Sequence, residues 1–442
     1  MKLPRYFSVL AAFMSLFALH AGAQGTPVHP QPAPAGASTV HQPTPEQIAK
    51  MPVVALPIRD FKLLNSGTGW VSTGNRLLLT TDNGTHWKDI SPPVPALADP
   101  RDDKFSGVFF LDANTGWVLF TTAPDDTTTE CDTHLASTVD GGATWTTVSQ
   151  LPRLDPWREV TGGGSLVFSD KLHGWVDLGT IRSGVLFATS DGGRTWQSPK
   201  SQPGIGSDMV APTDKDLWMA GGRDYILVAT HDGANTFQEV SLPVPAGIDP
   251  EAYPVYGLPV FTDSLNGYEP VTYINGDEKS AEALFATTDG GRTWHIDRTV
   301  TNLDPSTAER SSPSAIVGST WLFSFAPGGT QTTLIRIHPN EKKAAAANRD
   351  GHDGFNGCDL SFLTADEGWM NCTGNLTSTI DGGATWTNIT PRARNGSNNG
   401  VLTTDPVTPV PAPKPMTTHP IKLADPKTVP NATNAPSGNI QN

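Results

Sequence analysis

Six times along the chain an eight-residue pattern returns in which an Asp lies five residues before an aromatic side chain. The pairs are Asp82 and Trp87, Asp140 and Trp145, Asp191 and Trp196, Asp232 and Phe237, Asp289 and Trp294, and Asp381 and Trp386. Four copies read T-x-D-G-G-x-T-W. Two are worn: His86 stands at the Thr position of the first, and the fourth carries Ala234 and Phe237. A Thr-, Val- or Ile-rich run before the Asp is a strand, and the aromatic starts another. The Asp carboxylate can accept hydrogen bonds from backbone N–H groups two and three residues on. Gly supplies the positive φ of a tight turn. The Thr hydroxyl closes the loop from the far side, and the indole drops between neighbouring sheets as an apolar wedge. These twelve residues therefore read as structural.

A second aromatic precedes each box, usually after Gly: Gly69-Trp70, Gly116-Trp117, Gly174-Trp175, Gly267-Tyr268 and Gly368-Trp369, with Leu217-Trp218 as a variant. Ahead of it runs a short strand such as Val108–Asp112 or Leu166–Asp170. The unit is strand, turn, Gly-Trp strand, loop, strand ending in the box, then the Trp strand. Ten of the twelve Trp occupy these two repeat positions, leaving Trp157 and Trp321. Consecutive box Asp residues are 58, 51, 41, 57 and 92 apart, and the last gap holds nearly two units. Inside it, Ser319–Phe325 and Thr332–Ile337 read as strands of a unit without a box. Six boxes and one cryptic unit predict an all-β, seven-bladed β-propeller of four-stranded antiparallel blades. Each blade buries its faces only against its neighbours, so residues 52–392 form one domain despite their length. Residues 52–57 or 400–404 are candidates for a strand across the seam. The only helix-like pieces are Pro45–Lys50 and Lys342–Asn348.

Residues 1–23 read as a secretory signal: Lys2 and Arg5, the apolar run Phe7–Leu19, then Ala21-Gly22-Ala23, with cleavage expected after Ala23. The run is short for a bilayer span, no Cys follows it, and nothing later is apolar enough to cross. The chain is thus expected in the periplasm or outside the cell. Residues 24–51 form a Pro-rich linker and 393–442 a Pro-, Thr- and Asn-rich tail, both expected to be unstructured. Net charge is −14, and −16 once residues 1–23, with Lys2 and Arg5, are gone. Such acidity argues against nucleic acid, whose phosphates need a basic face, and against anionic lipid.

The box resembles the Asp-box, or bacterial neuraminidase repeat. Joined to the Gly-Trp strand, it resembles the photosystem II assembly and stability factor family and its bacterial relatives, over about residues 60–392. That resemblance implies a propeller that binds a protein or peptide. Sialidases, sortilin-type receptors and xyloglucan-active glucanases carry the box too, on the blade rim and away from the ligand face. The fold alone assigns no activity.

An enzyme needs its own residues. The R-I-P tripeptide of sialidases is absent; Pro57-Ile58-Arg59-Asp60 has its Arg on the wrong side. A glucanase needs two inward carboxylates at a set separation. Asp60, Asp103, Glu159 and Asp208 are candidates, and nothing in the sequence selects two of them. The alternative to a non-catalytic scaffold for a protein, peptide or glycan is therefore an exported glycoside hydrolase. Convergence of two carboxylates, or of an Arg cluster, on the axial mouth discriminates the two. Trp157 with Arg158, in the loop entering the third unit, is the candidate recognition pair; Trp157 covering a blade edge is the alternative. Cys358 and Cys372 flank a turn and can face each other as a disulfide in an oxidising compartment; Cys131 has no evident partner. Asp350–Gly357 is rich in oxygen ligands and fails EF-hand spacing. No C-x-x-C or H-x-x-x-H occurs, so neither metal nor cofactor is expected.

Overall fold

A computed structural model describes residues 44–94, 104–122, 132–153, 164–180, 183–221, 226–274, 280–303, 314–317, 321–328, 331–337, 343–350, 359–372, 374–394, 400–404 and 417–422. Its contacts separate Met1–Pro45 from Glu46–Asn442, and every sheet belongs to the second unit.

Among the described residues, seven antiparallel sheets follow one another in the chain, with an eighth, smaller one beside them. Sheet one is Asp60–Asn65, Thr68–Ser72, Leu77–Thr80 and Lys88–Asp89. Sheet two is Phe105–Phe110, Gly116–Thr122, Asp132–Thr138 and Thr146–Gln150. Sheet three is Gly164–Phe168, Gly174–Thr180 and Ser183–Thr189, its fourth strand reduced to a bridge between Ala188 and Gln197. Sheet four is Ser207–Val210, Leu217–Gly221, Ile226–Thr230 and Gln238–Val240. In sheet five, Tyr253–Tyr256 and Val260–Phe261 both pair Gly267–Ile274, followed by Ser280–Thr287 and His295–Leu303. Sheet six, the unit without a box, is Ser314–Val317, Trp321–Gly328, Gln331–Ile337 and Lys343–Asp350. Sheet seven is Asp359–Phe362, Gly368–Cys372, Asn375–Thr379 and Thr387–Asn388.

Apolar clusters each draw on two sheets. Trp70 and Leu77 of sheet one pack with Phe110 and Val118 of sheet two. Trp117 and Leu135 meet Phe168 and Val176; Trp218 and Leu227 meet Val271 and Phe285. Trp369 and Leu376 of sheet seven close on Phe61, Leu63 and Val71 of sheet one. The last sheet thus packs on the first, as in a β-propeller. A recurring aromatic group cements the joints. The Gly-Trp indole of one sheet lies on the Phe ending the leading strand of the next, and that sheet's box Trp meets the same ring edge-on. Trp117 stacks on Phe168 at 3.8 Å and 6°, with Trp196 at 6.3 Å. Gly174 is required here, because a Cβ on it would come within 2.6 Å of the Phe168 ring.

Leading strands of successive sheets touch one another, Phe105–Phe110 with Gly164–Phe168 and then Ser207–Val210, and Ser314–Val317 with Asp359–Phe362 and then Asp60–Asn65. They are therefore the innermost strands, around the axis.

Two expectations are corrected. Lys343–Asp350 is a strand and not helical: its Ala run pairs antiparallel with Gln331–Ile337, and the ladder overrides helix propensity. The tail is not wholly without structure. Arg392–Arg394 pairs Val53–Ala55 and Val401–Thr403, so both candidate seam segments join a separate three-stranded clasp. Thr417–Lys422 pairs Lys343–Asp350 as a fifth strand on sheet six.

Candidate functional site

Each turn is held by its own side chains. Asp140 Oδ1 accepts from the Thr144 N–H (2.8 Å) and the Thr138 hydroxyl (2.8 Å), and Oδ2 from the Thr144 hydroxyl (2.6 Å). Thr138 Oγ1 in turn accepts from the N–H groups of Asp140 and Gly142. The carboxylate thus takes the N–H four residues on: the Gly142 amide two on goes to the Thr138 hydroxyl, and the Ala143 amide three on goes to the Asp140 backbone carbonyl. In the worn first copy the His86 ring replaces the Thr hydroxyl, 2.6 Å from Asp82 Oδ2. Hydrogen bonds to the anion hold Asp140 down at about 2, and Asp191 likewise at about 2. A carboxylate so held stays ionised at neutral pH, with three of its four lone pairs engaged in the turn.

The other end of the sheets is different. In an antiparallel sheet entered by its leading strand, the first and third turns share one end. The box turn is the third, so the start of each leading strand lies at the opposite, axial mouth. Asp60 begins the leading strand of sheet one, and Asp359 that of sheet seven; Asp208 is second in that of sheet four. Their register is equivalent. Lys62, Val210 and Ser361 pair the Gly-Trp or Leu-Trp indoles, and each Asp stands two residues before its neighbour in that set. Gly107 and Ser165 hold the same register in sheets two and three.

The three carboxylates feel one another although sheets one and four stand apart in the ring. Enclosure by protein raises Asp60 to about 6, helped by the charges of Asp208 and Asp359 and opposed by the Phe61 N–H at 2.7 Å and by Lys62. Enclosure raises Asp208, and raises Asp359 together with the Asp208 charge. Enclosure lowers Lys62, against the pull of Asp60. All four side chains are open to water yet flanked by protein, the condition of groups lining a narrow channel. Tyr253, 45% exposed, starts the leading strand of sheet five.

Of the candidate carboxylates, Asp60 and Asp208 converge here. Asp103 and Glu159 lie outside the described residues, as do Trp157, Arg158, Cys131 and Cys358. Cys372 is disulfide-bonded. Asp359 and Lys62 escape a reading of the sequence by motif; aligning the leading strands on the Gly-Trp partner would have shown them. Among the described residues no three His, Cys, Asp or Glu groups come close enough to hold a metal ion. No described helix is long and apolar enough to cross a membrane. Glu269 is a further raised acid, wholly buried with both oxygens unpaired, and cannot meet a ligand. A groove of about 320 Å³ between the box turns of sheets three and four is lined by His173, Trp175, Lys200 and Asp214.

No family model matches the chain. A probable oligoxyloglucan-reducing end-specific xyloglucanase of Neosartorya fischeri is 24% identical over 195 residues, covering 36% of this chain and 24% of that protein. The chain therefore spans about a quarter of that relative. Among solved structures, YCF48 from Cyanidioschyzon merolae is similar with a TM-score of 0.43 and 14% identity, over 75% of this chain and 98% of that one. The GH74 xyloglucanase from Xanthomonas campestris gives 0.34 and 11%, over 76% and 69%. The WD40 domain of SCAP from fission yeast gives 0.38 and 12%, over 76% and 99%. The fold assignment rests on the strand order and on the packing of the last sheet against the first.

Proposed function

We propose that the chain is an exported, seven-bladed β-propeller that works as a non-catalytic binding scaffold, with the axial mouth as its binding site. The ligand is a protein or peptide segment presenting a basic side chain, with a glycan as the lesser alternative. One observation carries this reading: Asp60, Asp208 and Asp359 occupy equivalent inner-strand positions, with Lys62 beside them among the described residues. Among the described residues, three acids against one Lys make the mouth negative.

The second reading, an exported glycoside hydrolase, draws on the same convergence, since an acid titrating near 6 suits a general acid. Two-carboxylate hydrolysis, however, needs one group held protonated and its partner held ionised. Among the described residues all three are pushed upward by the same cause and no depressed carboxylate stands beside them, which favours binding.

The mature chain serves as bait in an exported-protein extract, beside a glycan-hydrolysis panel, with D60N/D208N and the box variant D191N as controls. A saturable partner that D60N/D208N loses and D191N keeps, without turnover, supports the scaffold. Turnover that survives stringent purification and disappears in D60N/D208N makes the chain a hydrolase instead.

A further inference from the structure

The joint between sheets three and four departs from the pattern of the others. At the joint before it, Trp117 stacks on Phe168, and its Nε1–H donates to the Gly192 carbonyl in the box turn of sheet three at 3.3 Å. Trp369 likewise donates to Asn83 Oδ1, at 2.8 Å, in the box turn of sheet one. Trp175 is the corresponding indole of sheet three; it is 3% exposed, and its Nε1–H has no acceptor. Trp70 and Trp218 also lack an acceptor, but Phe110 and Phe261 pack beside them, with ring centroids at 6.2 and 5.9 Å. Among the described residues no ring packs on Trp175, because Ala211 and Leu217 of sheet four stand where sheet three has Phe168 and Gly174.

The same joint is open at the surface. Sheet three has a single bridge, Ala188 with Gln197, in place of a fourth strand. Past that bridge a side chain closes the sheet edge: the Gln202 carboxamide accepts from the Leu186 N–H at 2.8 Å and donates to the Leu186 carbonyl at 3.1 Å. The chain between Gln197 and Gln202 thus leaves the sheet, and a groove of about 320 Å³ lies between the two box turns. Trp175 lines it, and so does Gly233, which holds in sheet four the turn position of Gly192 and Asn83. Gln197, Lys200 and Asp214 line it too; their side chains are exposed and make no hydrogen bond or ion pair to a described residue. His173 lines it with Nδ1 held 2.9 Å from Asp170 Oδ2.

We propose that this groove is a binding site for a sugar ring. Its volume is at the lower end for small-molecule pockets, about 300 Å³, which limits the occupant to a single ring. Its charges come one of each sign, Lys200 against Asp214, with His173 already matched by Asp170, so it selects neither an anion nor a cation. The unengaged groups are mixed: Lys200 and the Trp175 N–H donate, Asp214 accepts, and the Gln197 carboxamide does both. A hydroxyl also does both, and a sugar ring carries several around an apolar frame, so one ligand meets them all. The Trp175 N–H contributes most, because a buried donor without an acceptor is costly and an exposed one has water. The groove lies at the box end of the sheets, opposite the axial mouth, and does not depend on the function proposed there.

The probes are the methyl glycosides of glucose, galactose and mannose, with sodium acetate and glycine as controls. Each is titrated into the full chain labelled with nitrogen-15, and the indole N–H resonance of Trp175, identified by its loss in W175F, is followed. A saturable shift of that resonance with at least one glycoside is the expected result. K200A/D214A changes two exposed side chains and weakens the same binding on the order of tenfold. A resonance that moves with acetate or glycine and with no glycoside gives the groove to an anion or an amino acid and overturns the proposal. So does a resonance that moves with no probe, or an affinity that K200A/D214A leaves unchanged. Loss of the shift in D60N/D208N would place the sugar at the axial mouth and overturn the groove site.

Discussion

At the scale of single residues, the second Gly of each box answers to two demands at once. Gly142 holds φ +79°, and a Cβ there would meet Ile90 of the preceding sheet at 2.8 Å. Gly142→Ala is expected to cost about 2–4 kcal/mol, combining a left-handed backbone with overpacking. Ala234 holds the same place in the worn fourth copy at φ +65°, wholly buried. For Ala234→Gly, relief of about 1 kcal/mol in the backbone nearly cancels the lost burial of one methyl. Urea midpoints of the two variants check the contrast. The box carboxylates also set the acid limb. Their folded pKa values lie below the unfolded ones, so their stabilisation is complete above about pH 4 and is lost as the pH falls towards about 2. D140N and D191N should flatten the fall of the urea midpoint over that window. Glu269 has the opposite sign. Burial raises its folded pKa, so its contribution is fully present below the unfolded value and is lost as the pH rises. The gain in urea midpoint of E269Q over the wild type should therefore grow from pH 4 to pH 8; a constant difference would show that the buried carboxyl is not held neutral.

At the scale of elements, what the sequence made legible was what it encodes locally. The side-chain hydrogen bonds of the box close between the Thr two residues before the Asp and the residue four after it, and the amide next after the Asp reaches only to the first turn of its own sheet, so six copies announce six turns. The strands Trp321–Gly328 and Gln331–Ile337 of the boxless sheet could be read from their β-branched and aromatic residues. The strand Lys343–Asp350 could not, because four consecutive Ala favour helix until a distant ladder claims them. The axial acids were hidden for the same reason. Asp60 and Asp359 come together only when sheet seven packs on sheet one, and Asp208 reaches them only across the finished ring. The clasp likewise joins residues from the two ends of the domain. Its central strand is Arg392–Arg394, with Ala393 fully buried between Val54 and Leu402. Ala393→Pro removes a ladder donor there and should cost about 1–3 kcal/mol, read as a lower urea midpoint. An unchanged midpoint would show that the ring holds its seam without the clasp.

At the scale of the whole molecule, the ring divides its acids between two duties. Those at the box end are satisfied, depressed and structural. Those at the axial mouth are raised by enclosure, Asp60 in spite of the Phe61 N–H and Lys62, and stand together only because the ring is closed. The chain's charge of −14 adds a long-range field that favours approach of a basic segment over an acidic one. The central claim is that three inner-strand carboxylates share one mouth. The titration of Asp60, followed by the carboxyl carbon shift in the wild type and in D208N/D359N, tests it most directly. The account predicts a midpoint of about 6 in the wild type, moving down in the variant as two neighbouring charges disappear, while enclosure keeps it above the ordinary range. An Asp60 that titrates near the ordinary value of about 4, or that ignores D208N/D359N, would contradict the shared mouth.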